Sequence, residues 1–505
     1  MKTIRFTKEH LDVFSAASLD RNPLHLSDEY SRRTPYGGRV VFGVLNGLFA
    51  IGNAEGHERT GSTIASVECE FFDVALLGVD YSVEVVGSSP SEIAIRVADG
   101  RRPVLEVVVT FRPGEAPLLR DQSRASAPPE LPQLFSAEEL SVGRTASGGY
   151  NPSSEALYKL LRLTGINQSW ISPAHVMALM CTSYIVGMKI PGERALFSRV
   201  LLEFGNDLEV PSSVGYSAAI SDVSDSGELT IQGSLQANGT AWANFTIAAH
   251  VRSDVPPASL EVMARLAGRS DLLQDKVAFV TGGSRGLGAS LVRALALQGC
   301  TVILNFLRSQ AEAESVKSSL QGTSGKIVLV QGDAGNLEWC QEAQRETSAK
   351  FGRIDFLFCN ACPPLLPLWI ESSAAARVTD FIQKSIAMVA HPMAAFLPML
   401  ALTKGWNVVI SSTAVKKPHP YFPHYVVAKS ATEALADASS SEYRSVSFLT
   451  VRPPRLLTDL TNTPIGRRGA LAPEVVASAT VRKLMAAPSS GKVTLLEDFG
   501  TLEAR

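Results

Sequence analysis

The sequence predicts a multidomain fold, an α+β unit built twice and then an α/β domain with a doubly wound parallel sheet. Three observations carry this. The segment 64–71, "IASVECEF", recurs as "FSRVLLEF" at 197–204, each copy after an apolar helix-like run and before two strand-like runs. The stretch 113–133, rich in Pro, Ala and Ser, and a second break at 252–271 divide the chain. Beyond them, "KVAFVTGGSRGLGASLVRALALQGCTVILNF" reads as strand, glycine turn, amphipathic helix and strand. The pieces are 1–112, 134–251 and 272–505.

A chain of 505 residues exceeds one ordinary core. At 45% hydrophobic, 19% charged and a formal charge of −2, its composition is that of a soluble globular protein with no basic surface for nucleic acid. The six cysteines (Cys69, Cys181, Cys300, Cys340, Cys359, Cys362) are scattered, and the CxxC pair Cys359/Cys362 has no second pair nearby. Reduced, packed thiols are therefore expected rather than zinc, and no metal site is predicted. The start, "MKTIRFTKEH", lacks an apolar h-region, and the run "VVFGVLNGLFAIG" is too short for a bilayer. A cytoplasmic enzyme without a membrane partner is the expectation.

In the first piece, "LDRNPLHLSD" places Asp20 and His25 around an Asn22-Pro23 turn. Alone, such an acid and imidazole would more often cap a helix and fill a loop. With Asp28 and the following "TPYGGRVVFGVL" (Thr34 to Leu45), the stretch resembles the MaoC-like, hotdog-fold (R)-specific enoyl hydratases, whose pattern is D-x-N-P-[IL]-H with a later F-G-x-x-V-V-H-G. The resemblance implies a hotdog fold with Asp20 and His25 acting together on the α and β carbons of an acyl thioester. Reversible addition of water needs one group to take a proton and another to give one, and a desolvated carboxylate–imidazole pair can be tuned to both near neutral pH. The amide of Gly43, at the helix start, would hold the thioester oxygen. Leu19 stands where the family has Gly, and Phe42 where it has His. At a shift of 133, Asp20 falls on Ser153, His25 on Tyr158 and Phe42 on His175. The second piece is thus read as a degenerate hotdog, with His175 a possible contributor.

In the third piece, Gly282, Gly286 and Gly288 let backbone amides and a helix start approach a pyrophosphate. The second strand ends in "ILNF", with Asn305 where an NAD-selective site would place an acid, and Arg285 and Arg308 within reach of a 2′-phosphate. NADPH/NADP is the expected cofactor. Downstream, Tyr425 and Lys429 share a helix face, and Ser412 precedes them in "VISSTA". The ammonium is expected to lower the phenol's pKa. Residues 276–460 resemble the short-chain dehydrogenase/reductases, nearest in character to the 3-oxoacyl thioester reductases. The resemblance implies Ser412, Tyr425 and Lys429 as the catalytic triad. It implies cofactor contacts at Thr281, Gly282, Ser284, Arg285, Gly286, Leu287, Gly288, Asn305, Arg308, Asp333, Asn360, Ala361, Tyr425, Lys429 and Thr458, and dimerisation through the reductase helices. Cys362 stands at a glycine position, Ser385 at that of an active-site Asn, and Pro454 at a second glycine position.

Together the resemblances imply a ketoreductase–dehydratase on acyl-carrier-protein or CoA thioesters, in fatty-acid-like or polyketide-like assembly. The alternatives are a degradative enoyl-CoA hydratase with a (3R)-hydroxyacyl-CoA dehydrogenase, and an acyl-carrier-binding scaffold with silenced sites.

Overall fold

The computed structural model describes residues 2–54, 61–120, 130–136, 138–166, 168, 171–205, 209–211, 213–237, 239–255, 259–486 and 491–499. They divide into two compact units: Met1–Arg32 with Gly38–Ser253, and Arg33–Gly37 with Asp254–Arg505.

The first unit runs β1 (Lys2–Arg5), α1 (Lys8–Ser18), α2 (Pro23–Leu26), α3 (Asp28–Ser31), α4 (Gly43–Gly52), β2 (Ser62–Phe71), β3 (Asp80–Ser89), β4 (Glu92–Asp99), β5 (Arg102–Pro113) and a short β6 (Leu118–Arg120). It then repeats itself with β7 (Thr145–Tyr150), α5 (Ser154–Thr164), α6 (Pro173–Tyr184), β8 (Ala195–Phe204), a short β9 (Glu209–Pro211), β10 (Val214–Val223), β11 (Glu228–Ala237) and β12 (Thr240–Val251). Ten strands form one antiparallel sheet in the order β1-β3-β4-β5-β2-β8-β12-β11-β10-β7. Each half thus contributes five strands in mirrored order. The repeated segments are the central pair, with Glu68 opposite Leu201, the residue 133 positions on. A local two-fold passes through that pair. On β5, Val107, Val109 and Phe111 alternate inward while Glu106, Val108 and Thr110 face away, the period-2 signature of a sheet with one face on a core. That face covers α4 and α6, both almost entirely buried.

Two sequence readings are corrected in this unit. First, the shift of 133 does not hold throughout. The helix ahead of the dyad is α1, and its counterpart α5 lies 146 residues on, whereas α4 and α6 begin 130 apart. Residues 19–42, which carry the dyad, therefore have only 165–172 as counterpart, and Ser153 and Tyr158 do not correspond to Asp20 and His25. Ser153 caps α5, and Tyr158 lies within it. Second, 113–133 is not wholly a free linker. The Gln133 amide donates to the Met188 carbonyl at 3.0 Å, and the Glu193 amide donates to the Gln133 carbonyl at 2.8 Å.

In the second unit, α7 (Leu260–Ala267), capped by Ser259, lies inside the expected break at 252–271. Then come β13 (Val277–Val280), α8 (Gly286–Ala296), β14 (Thr301–Phe306), α9 (Gln310–Ser319), β15 (Lys326–Gln331), α10 (Leu337–Phe351), β16 (Phe356–Cys359) and α11 (Ala375–Thr403). The unit ends with β17 (Trp406–Ile410), α12 (Pro423–Glu442), β18 (Ser447–Val451), α13 (Pro464–Arg467), α14 (Pro473–Ala486) and β19 (Val493–Leu496). All seven strands are parallel, in the order β15-β14-β13-β16-β17-β18-β19. Strands β13, β16, β17 and β18 are buried throughout, as a sheet covered on both faces requires. By length and composition α11 is apolar enough to cross a bilayer. Its buried residues, among them Phe381, Val389, Phe396 and Leu400, include members of the core under the sheet. The strand order reverses between β13 and β16, the switch point where such sheets open a crevice beyond their C-terminal ends.

Candidate functional sites

In the first unit, α1 ends at Leu19, whose φ of 60° is left-handed. A side chain there is strained, which gives a physical reason for glycine at this position in the family it resembles. The reversed chain then drops Asp20 into the interior, 2% exposed. Asn22 caps α2, its Oδ1 accepting from the Leu24 amide at 3.0 Å. Its Nδ2 donates to the carbonyls of Gly187, Gly192 and Glu193 at 3.1–3.3 Å. The Asp20 carboxylate accepts from the Asn22 amide at 3.0 Å and from Ser183 Oγ at 2.7 Å. Ser183 lies on α6, so the half without a dyad positions the acid of the half that has one. A single π turn at Ile185–Lys189 extends α6 and brings Gly187 against Asp20, where any β-carbon would fall on the carboxylate. Sequence reasoning missed Ser183 and Gly187, because only the shared sheet brings them to the dyad.

Burial raises the Asp20 pKa to about 7 against the pull of Ser183 and the Asn22 amide. Burial lowers that of His25 to about 4, so the ring is neutral at pH 7. His25 Nδ1 lies 2.9 Å from the Val40 carbonyl, which only accepts, so the proton sits on Nδ1 and Nε2 keeps its lone pair. Phe42 stacks on this imidazole, ring centroids 3.9 Å apart, and so serves as its platform. Asp20, His25 and Gly43 line one cavity of about 60 Å³, together with Asn46, Phe71 and Phe197. A β-carbon on Gly43 would come within 2.9 Å of the Phe71 ring, so the residue whose amide opens α4 has to stay small. His175 is not part of this cavity. It closes a capping box with Ser172 at the start of α6, packs edge-on against Phe204, and burial lowers its pKa to about 3.

Gly187→Ala is therefore expected to displace the Asp20 carboxylate. Any reaction at this cavity should slow about 100-fold, the cost of a misplacement near 1 Å, with chemistry in the second unit unchanged; steady-state rates for both activities check it.

In the second unit, the parallel sheet delivers its polar positions to one edge. The glycine turn follows β13, Asp333 follows β15, Asn360 follows β16, Ser412 follows β17 and Thr458 follows β18. Gly282 and Gly286 have φ of 63° and 53°. A β-carbon on Gly288 would strike the Gly282 carbonyl and come within 2.6 Å of Asn360 Nδ2, and one on Gly286 would come within 3.3 Å of Thr458. The cradle is thus closed by backbone contact at the start of α8, a geometry that fits a pyrophosphate. Gly288→Ala should raise the KM or Kd for a nicotinamide nucleotide at least about tenfold, readable by fluorescence titration.

Several predicted cofactor residues act from behind the cradle instead. Thr281 is fully buried; its hydroxyl donates to the Phe358 carbonyl at 3.1 Å and accepts from the Asn360 and Ala361 amides at 2.9 and 3.1 Å. Asn305, 2% exposed, accepts from the Gly282 amide at 3.3 Å and donates to the Gly332 carbonyl at 2.9 Å. It turns inward rather than toward a ribose. Asn360 Nδ2 donates to the carbonyls of Thr281 and Gly282. Ser284 and Leu287 are buried, whereas Arg308 and Asp333 are exposed, the latter capping the Gly335 amide at 2.8 Å. Arg285 Nη1 lies 3.7 Å from Asp459 Oδ2.

Tyr425 and Lys429, one turn apart on α12, lie with the ammonium 5.7 Å from the ring centroid. Lys429 Nζ donates to the Ile410 carbonyl at 2.7 Å, and Ser412 lies near enough to the phenol to favour its ionised form. Behind them Ser411 and Arg452 hold Glu433, Arg452 through two bonds of 2.7 and 2.8 Å. The expectation of a depressed phenol pKa is overturned. Lys429 and Ser412 pull it down, but burial outweighs them and pushes it up. Cys362 stands close enough to push the same way, and Ser385 is buried on α11 with its hydroxyl unpartnered among the described residues.

Residues 276–465 match the short chain dehydrogenase family model. A 3-oxoacyl-[acyl-carrier-protein] reductase of Synechocystis is 29% identical over 236 residues, 44% of this chain and 94% of the relative. An uncharacterized oxidoreductase of Methylorubrum extorquens is 29% identical over 198 residues, 38% of this chain and 77% of its own. Among solved structures, an alcohol dehydrogenase of Thermococcus sibiricus complexed with 5-hydroxy-NADP is 27% identical, with a TM-score of 0.41, over 45% of this chain and 99% of its own. The C-terminal half of this chain carries an oxidoreductase domain of the short-chain dehydrogenase/reductase type.

Proposed function

We propose that the chain is a bifunctional enzyme that reduces 3-oxoacyl thioesters with NADPH and dehydrates the (R)-3-hydroxy products to trans-2-enoyl thioesters. The observation that carries the reading is the pairing of two complete sets of groups in one chain. One is Ser412, Tyr425 and Lys429 at the edge that holds the glycine cradle, and the other is Asp20, His25 and Gly43 around one cavity in a doubled, hotdog-like unit. The 3-oxoacyl-[acyl-carrier-protein] reductase relative supports an acyl thioester substrate.

A nicotinamide cofactor, when bound, supplies hydride to C3 of the substrate. Ser412 would hydrogen-bond the C3 oxygen, and Tyr425 would give it the proton that completes the alcohol. A phenol held above its ordinary pKa is an acid at neutral pH, the state that reduction requires. Lys429, fixed by the Ile410 carbonyl, would stabilise the phenolate left behind. Exposed Arg308 past β14, and the lack of a carboxylate at that strand end, support the phosphorylated nucleotide.

In the first unit, His25 Nε2 would take a proton from C2 while the Asp20 carboxyl protonates the departing 3-hydroxyl. The C2–H and C3–O bonds break, the C2–C3 double bond forms, and water leaves. Gly43 N–H would hold the thioester oxygen as charge develops. Return of the proton from imidazolium to carboxylate restores the pair.

The test is the full chain with NADPH and 3-oxobutyryl-CoA, following absorbance at 340 nm and product mass. Nucleotide oxidation and then loss of water are expected. Reduction without dehydration would leave the oxidoreductase alone, and no turnover at either step would sink the proposal.

A further inference from the structure

The cavity of the first unit holds a polar group that this chemistry does not use. Asn46 lies one turn beyond Gly43 on α4 and lines the same cavity, only 2% exposed. Its backbone amide donates to the Phe42 carbonyl within the helix, but its side-chain Oδ1 has no partner among the described residues. The cavity's other polar side chains each have a partner within the fold. Asn22 and Ser183 bond the π turn and Asp20, His25 bonds Val40, and Asp73 caps the Val74 amide and pairs with Arg102. A buried amide oxygen without a donor is costly, and such groups persist where a ligand completes them.

We infer that Asn46 accepts a hydrogen bond from the 3-hydroxyl of the bound (R)-3-hydroxyacyl thioester, and so selects that form of the substrate; this rests on the thioester reading above. The partner must bring a donor, which within the acyl chain confines the choice. Enoyl and saturated acyl chains carry no O–H, and a 3-oxo group only accepts. The 3-hydroxyl has one hydrogen to give and lone pairs to receive. With its hydrogen on Asn46, its oxygen is left for the Asp20 carboxyl. The water formed would keep the same acceptor as it leaves. A site built to bond a hydroxyl discriminates against the analogue without it, because its own acceptor is then stranded.

The experiment measures inhibition of crotonyl-CoA hydration by the full chain without nicotinamide nucleotide, so that the second unit has no turnover. Inhibition constants are taken for (R)-3-hydroxybutyryl-CoA and for butyryl-CoA. Asn46→Leu should weaken the hydroxy ligand about tenfold, the size of one buried hydrogen bond, and leave butyryl-CoA unchanged; Asn46→Ala should repeat the pattern. Equal changes for both ligands, the mark of a collapsed cavity, or no change for either, would overturn the inference. If the unsubstituted chain hydrates nothing, the thioester reading itself fails and takes this inference with it.

Discussion

Tyr425→Phe should lower the rate of 3-oxoacyl reduction about 10³-fold while leaving hydration of crotonyl-CoA at its original rate. The phenylalanine keeps the ring and the helix and removes only the hydroxyl, so the loss measures proton donation. Ser412 would still address the substrate oxygen, and Lys429 would still be fixed at 2.7 Å from the Ile410 carbonyl, but neither replaces the proton. The pH dependence follows from direction. The phenol is pushed above its ordinary value of 10, so it stays protonated through neutral and mildly alkaline solution. As far as Tyr425 is concerned, reduction should be flat from pH 7 to 9, whereas alcohol oxidation, which needs the phenolate, should climb over the same range. Retention of more than a tenth of the reduction rate in the Phe variant would show that another group supplies the proton. Ser412→Ala should be milder, about 10²-fold, because it removes a hydrogen bond rather than the acid.

Much of this architecture can be read from the chain because its signals are local. The strand–glycine–helix–strand run from Lys276 and the i, i+4 spacing of Tyr425 and Lys429 need no tertiary knowledge. The repeat at 64–71 and 197–204 is legible because central strands keep their alternation, and the two segments prove to be neighbours in the sheet. What escapes the sequence is long-range. A single shift cannot align two halves when 24 residues, 19–42, separate the two helices in one and only eight, 165–172, in the other. Asn305 stands at the strand end where a ribose contact belongs, yet the Gly282 amide and Gly332 carbonyl draw its side chain inward. Ser183 and Gly187 lie more than 160 positions from Asp20, and nothing near them marks them as partners of a carboxylate. The phenol pKa is misjudged for a similar reason, since the cation is visible in the sequence and the burial is not.

Asp20→Asn should lower hydration about 10³-fold, leave reduction intact, and make the first unit more stable at alkaline pH. On the proposed dehydratase reading, activity needs one proton on the pair: Asp20 protonated with neutral His25 would serve dehydration, and carboxylate with imidazolium would serve hydration. Both states hold the same number of protons, so both directions should decline below about pH 4 and above about pH 7. With the amide only His25 titrates, so residual dehydration, which needs the neutral imidazole, should lose the upper limb and keep the lower one. For stability, Asp20 is raised from 3.8 in the unfolded chain to about 7 in the fold, so its burial costs nothing below pH 4 and progressively more up to pH 7. His25 runs the other way. Lowered from 6.5 to about 4, it destabilises the fold in acid, and that cost disappears as pH rises to 6.5. The two slopes oppose each other between pH 4 and 6.5, and above 7 only the carboxylate's cost remains. The Asn variant escapes it, so at pH 8 it should exceed the parent by a few kcal/mol, at most about 1.4 kcal/mol for every tenfold loss of acidity on folding, and match it at pH 4. Denaturant melts of the full chain at the two pH values give the comparison. An equal difference at both would mean that Asp20 is charged or neutral throughout, and the proton-sharing account of the dyad would fail.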